Sequence, residues 1–112
     1  MVKYMTNTFL ATKVSFANEI FEICNRLGID YDKVTEYATH DERLGKSHWS
    51  VPGPDGHYGF GGSCFPKDIN ALISVAKNKL DLYPNTLIGA WDTNLEVRPE
   101  EDWKELKGRA VV

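Results

Sequence analysis

The chain has 112 residues, 42% of them hydrophobic and 26% charged, with a net charge of −3 at neutral pH. That length allows one domain with a modest core, and the acidic balance gives no basic footprint for nucleic acid. No apolar run approaches the roughly 20 residues a helix needs to cross a bilayer, and the polar, periodic N-terminal segment predicts no secretory signal.

Residues 2–27 read as one long amphipathic helix. Met5, Phe9, Phe16, Ile20, Ile23 and Leu27 recur at helical spacing, with Leu10, Ala17, Phe21 and Cys24 widening the stripe. A stripe this broad suits a helix with one side on its own core and another on a partner subunit. Gly28 is placed to end the helix as a left-handed cap. Lys3 and Asn7 lie four apart and share one face near its start; on the residues alone they are a solvated polar patch. Cys24 reads as packing.

Asp30 to Thr39 forms a second, short helix capped by Asp30, with Val34 and Ala38 facing inward. From His40 to Ser63, Pro52, Pro54 and six glycines interrupt any regular element. Irregular connections of this length inside a compact domain are usually functional. Trp49, Tyr58 and Phe60 give this one apolar bodies suited to covering a sugar or a base. Arg43, beside Asp41 and Glu42, reads first as a paired surface charge.

The loop closes on Gly59-Phe60-Gly61-Gly62-Ser63-Cys64-Phe65-Pro66-Lys67-Asp68. Glycines here permit positive φ and close approach of a ligand to the backbone. Pro66 suits the first position of the next helix, which puts Asp68 in its first turn and Cys64 just outside its positive end. That environment favours a nucleophilic thiolate, although a lone cysteine is often only a small buried hydrophobe. A dinucleotide loop does not fit, because Cys64 occupies the third glycine position and no buried strand precedes it.

The helix from Pro66 to Lys79 presents Ile69, Leu72, Ile73 and Ala76 inward. Another runs from Pro84 or Asn85 to about Val97, using Leu87, Ile88, Trp91 and Leu95. Arg98-Pro99-Glu100-Glu101-Asp102 reads as a charged exit, followed by an amphipathic turn at Trp103 and Leu106, then Gly108 and Arg109-Ala110-Val111-Val112. Cys24 and Cys64 are the only cysteines, too few for a disulfide framework and consistent with a reducing cytoplasm. Together with His40, His48 and His57 they lack zinc-ligand spacing, so no metal is expected.

Three blocks carry a resemblance. Residues 59–68 resemble the catalytic-cysteine signature of the UDP-glucose/GDP-mannose dehydrogenase family. Lys3-Tyr4-Met5-Thr6-Asn7-Thr8-Phe9-Leu10-Ala11-Thr12-Lys13, continued by Asn18-Glu19, is similar to its central-helix motif. Asp41-Glu42-Arg43-Leu44-Gly45 is similar to its arginine loop. The blocks stand in the family's order, and they look nearer to members acting on UDP-glucose, with GDP-mannose the competing substrate.

The resemblance implies an all-α central dimerisation domain covering residues 1–112, with one long N-terminal helix and a long irregular active-site loop. It implies oxidation of the C6 alcohol of a nucleotide sugar to a carboxylate, with two hydrides passing to two NAD molecules. Cys64 would be the nucleophile, Asp68 would position or deprotonate water, and Lys3 and Asn7 would steady an oxyanion. Arg43, reaching across a dimer interface, would bind the sugar nucleotide with Trp49, Gly59, Phe60 and Gly61. Partners would be a UDP-sugar and a second copy of the chain, in the cytoplasm. The family's NAD-binding and C-terminal nucleotide-binding domains have no counterpart in this sequence, so the chain alone is expected to be inactive. Two readings stay open: a catalytic-domain fragment, and a dimerisation or nucleotide-sugar-binding module without chemistry.

Overall fold

The computed structural model describes residues 1–106; the expected exit at Gly108 to Val112 lies outside the described residues. The fold is all-α, with no strand among the described residues. Four helices run in order: α1 (Val2–Leu27), α2 (Tyr31–Ala38), α3 (Cys64–Asn78) and α4 (Asn85–Val97). Short 3₁₀ turns occupy Glu42–Leu44 and Asp102–Leu106.

At about 1.5 Å per residue, α1 is about 39 Å long, close to the 42 Å long axis of the molecule. It is the spine on which the other three helices pack. Gly28 ends it at φ 72°, its N–H donating back to the last turn, as expected. Asp30 caps α2, accepting from the N–H groups of Asp32 and Lys33.

The faces of α1 are distributed differently from the periodicity reading. Met5, Phe9, Phe16, Ile23 and Leu27 are more than half exposed. Inside lie Thr8, Ala11, Ser15, Ala17, Asn18 and Cys24, most of them small. The reason is close approach: Ser15 Oγ donates to the Ala90 carbonyl at 2.7 Å, and a bulky side chain there would push α4 away. Of the expected stripe, the flanking residues Ala17 and Cys24 face the core, and Cys24 is packing as foreseen. Ala38 is exposed, and Tyr31 is the residue of α2 that is buried.

Two apolar clusters result. Ala11, Phe60, Ile69 and Ala90 form one between α1, α3 and α4, ringed by Val14, Phe65, Ile73, Leu87 and Trp91. Full burial of Ile69 contributes about 2–3 kcal/mol. Ala17, Cys24, Tyr31 and Val51 form the other, towards α2. Phe60 thus takes a core position from within the loop and pins the glycine-rich segment to the bundle.

Candidate active site

The second helix of the site starts earlier than its proline suggested. Cys64 is the first residue of α3 and Pro66 the third, so Asp68 lies beyond the first turn. This shift puts Cys64 and Asp68 four residues apart on one helix face, where side chains are neighbours. The thiol is exposed and stands at the positive end of the α3 dipole, with Ser63 Oγ 4.0 Å away.

Asp68 is fully buried, and both polar residues singled out on α1 converge on it. Asn7 Nδ2 donates to Asp68 Oδ2 at 2.6 Å, and Lys3 Nζ lies 3.9 Å from Oδ1. The structure therefore joins Lys3, Asn7 and Asp68 across the α1–α3 contact, one helical turn from Cys64. It adds Lys67, whose ammonium is 3.7 Å from the same Oδ1. Asp68 Oδ1 accepts no hydrogen bond. A buried carboxylate oxygen without a donor is uncommon, and here it faces two ammonium groups beside a thiol.

The glycine loop is built against α4. Gly59, at φ 68°, donates its N–H to Asn18 Oδ1 at 3.2 Å, and a Cβ there would run into Asn94 Oδ1. Fully buried Asn94 holds Phe60 as a strand neighbour would: its Oδ1 accepts the Phe60 N–H at 2.7 Å and its Nδ2 donates to the Phe60 carbonyl at 2.9 Å. Gly59, Phe60 and Gly61 line a cleft of about 410 Å³, whose apolar wall is completed by Val14 and Phe65. Ser47, Ser50, Asp55 and His48 form its polar rim. His48 has φ 67° and packs on the Phe65 ring at 5.9 Å.

Arg43 and Trp49 do not line that cleft. Arg43 is exposed and paired with Asp41, Nη2 to Oδ2 being 2.6 Å; these bonds hold the Asp41 carboxyl below the usual range. Trp49 is half-buried, its Nε1 donating to the Gly45 carbonyl at 2.8 Å. Tyr31 Oη donates to the Trp49 carbonyl at 2.6 Å, and burial first, then Asp32 and Cys24, push that phenol up to about 12. Lys13 is almost fully buried. Its Nζ donates to the Leu44 carbonyl at 2.8 Å and sits 4.9 Å from the Trp49 ring centroid, and burial lowers its pKa.

Four contributors escaped the sequence reading: Lys13, Lys67, Asn94 and Arg98. Lys67 had a signal, since it adjoins Asp68 in the cysteine block. Asn94 interrupts the apolar positions of α4 at an inward register, which a polar residue occupies only when it is satisfied. Arg98 carried none, because a charge run after a helix reads as solvated.

The sequence profile of the UDP-glucose/GDP-mannose dehydrogenase family, central domain, matches residues 1–95. A UDP-glucose 6-dehydrogenase of Bacillus subtilis, TuaD, is 47% identical over 90 residues, covering 80% of this chain and 18% of that protein. A second from the same organism, YwqF, is 49% identical over 78 residues, 70% of this chain and 17% of its own length. A UDP-glucose 6-dehydrogenase of Rickettsia bellii is 45% identical over 78 residues, 70% of this chain and 17% of that protein. The chain thus spans under a fifth of the length of the curated relatives it matches.

Proposed function

The chain belongs to the UDP-glucose/GDP-mannose dehydrogenase family, and on that premise we propose that it is the cysteine-bearing central domain of an NAD-dependent UDP-glucose 6-dehydrogenase. The observation that carries the proposal is the convergence of Lys3 and Asn7 from α1 on the buried Asp68 carboxylate of α3, one helical turn from Cys64. A dimerisation or sugar-binding module without chemistry has no use for that set.

The overall change takes a primary alcohol to a carboxylate, with two equivalents of NAD as oxidant. These residues do not fit NAD: among the described residues there is no strand, so no βαβ unit presents a helix N-terminus to a pyrophosphate. The cofactor site is assigned elsewhere in the enzyme, and the chain alone is expected to be inactive.

What this chain supplies is the covalent part. An aldehyde carbon must become tetrahedral before it can lose a second hydride. The Cys64 thiolate adds to it, a C–S bond forms, and the carbonyl π pair moves onto oxygen. Asn7 as a neutral donor and Lys3 as a cationic one stabilise that oxyanion. Loss of hydride leaves a thioester. Water then attacks the carbonyl carbon, the C–S bond breaks, and the thiolate leaves with the pair. Asp68 Oδ1, buried and without a hydrogen-bond donor, is the acceptor that orients this water and takes its proton. Gly59, Phe60 and Gly61 form the sugar side of the pocket; Arg43 and Trp49 act on the nucleotide, Arg43 from a neighbouring subunit.

The exposed row Met5, Phe9, Phe16, Ile23 and Leu27 supports a homodimer formed along α1. The decisive test is Cys64→Ser in the complete dehydrogenase. Turnover should fall on the order of a thousandfold or more, with the second oxidation or the hydrolysis stalled. Normal turnover would overturn the assignment.

A further inference from the structure

We infer that Arg98 is a positioning residue for Cys64, fastening the loop that leads into it. The inference rests on the reading of Cys64 as the nucleophile. Arg98 follows α4 directly and lies beyond the family match at residues 1–95. It is only 3% exposed. Its Nη2 donates to Asp55 Oδ2 at 2.6 Å, its Nη1 to the Tyr58 carbonyl at 3.2 Å, and its Nε to Asp102 Oδ1 at 2.8 Å. The other Asp102 oxygen accepts the Gly62 N–H at 3.0 Å. One guanidinium therefore holds the loop at three points, directly at 55 and 58 and through Asp102 at 62. Gly61 fits only because it has no Cβ, which would collide with the guanidinium. A planar fork with several donors suits the task; a single ammonium cannot reach three separated acceptors.

The neighbourhood of Cys64 needs such a restraint. Gly61-Gly62 is the least restricted backbone in the chain, and Gly62, at φ 74°, has open space around it. The first turn of α3 is held by the buried Pro66 and by Phe65, but its N-terminus carries no side-chain cap. Ser63 makes no side-chain cap, and Pro66 offers no N–H for one. Among the described residues, the side-chain hydrogen bonds of Arg98 go to the loop and to the turn that follows α4. Its loss should free the loop and leave the helices in place.

The test uses the 112-residue chain with Arg98→Lys. Amides of Tyr58 to Gly62 should exchange on the order of tenfold faster, with α1 amides within about twofold of wild type. Iodoacetamide alkylation of Cys64 should move at least halfway towards the rate of a free peptide spanning residues 59–68, while buried Cys24 stays slow. Three results overturn the inference. They are wild-type protection of the loop amides, looser loop amides with no change at Cys64, and acceleration of α1 amides and Cys24 in step with the loop, which marks a general stabiliser. Asp55→Asn removes one arm at a half-exposed position and guards against a misfolded Arg98 variant. It should speed the same amides by about threefold, and unchanged protection counts against the clamp. None of these readouts depends on turnover, so they judge Arg98 independently of the Cys64→Ser result.

Discussion

The two halves of the long connection between α2 and α3 are built on opposite principles. The half ending at Cys64 is bolted to α4: Asn94 grips Phe60, Arg98 grips Asp55 and Tyr58, and Asp102 takes the Gly62 N–H. The half carrying Arg43 is fastened only behind that residue, where Lys13 holds Leu44 and Tyr31 holds Trp49. Among the described residues, Arg43 itself is tied only to Asp41, two residues away. On the proposed function Cys64 is a nucleophile, which must be held within a fraction of an ångström of its productive geometry, and Arg43 a cation for the ligand of a neighbouring subunit, which gains from reach. The contrast separates a fixed seat from a free arm.

The largest effect should come from crowding the seat. Gly59→Ala places a methyl against Asn94 Oδ1 and within 3.0 Å of Val97 Cγ2, at a left-handed φ of 68°. Overpacking and backbone strain together should cost about 3 kcal/mol in urea unfolding. Gly62→Ala, equally left-handed but in open space, should cost only about 1 kcal/mol. Equal losses at the two glycines would mean that α4 does not press on the loop.

Acid probes the same seat through its charges. Burial pushes the Asp55 and Asp102 carboxyls up, but the Arg98 hydrogen bonds outweigh it and hold both below the usual carboxylate value. A depressed folded pKa stabilises above the unfolded value, about 3.9 for aspartate, and that stabilisation is lost as pH falls through the lower folded value. His57, which donates to Asp55 through its backbone N–H and lies 3.7 Å from Glu100, is the other titratable group facing this cluster. Protection of the Tyr58–Gly62 amides, corrected for intrinsic exchange, should therefore hold from neutrality to about pH 4 and collapse only below it. Loss well above that pH would show that the two aspartates do not control the loop.

How much of this could be read from residues alone divides along the same line. The helices were legible because their ends carry local chemistry: Gly28 terminates α1 and Asp30 caps α2. The Lys3, Asn7, Cys64 and Asp68 set was legible as motifs, and Pro66 misplaced the start of α3 by two residues because Cys64 needs no cap to be helical. The inward face of α1 was not legible. Periodicity ranks Met5, Phe9 and Phe16 as core, whereas close packing against α4 selects Ala11 and Ser15. Nor was the clamp, since the loop partners of Asn94 and Arg98 lie 34 to 43 residues away. A buried ion pair becomes visible only when both ends are placed.

The arm should give the smallest structural effect and the sharpest functional one. Arg43 is 88% exposed at its side chain, so Arg43→Ala removes a solvated pair with Asp41. Such pairs contribute little, and the urea unfolding midpoint should stay at the wild-type value. In the complete dehydrogenase, the sugar-nucleotide role proposed for Arg43 predicts that its loss raises KM on the order of tenfold with kcat nearly unchanged, the signature of binding lost equally from ground and transition states. A stability loss comparable to that of Gly59→Ala would show that the arm is structural after all. An unchanged KM would remove Arg43 from the substrate site and leave the loop's ordered half to bind alone.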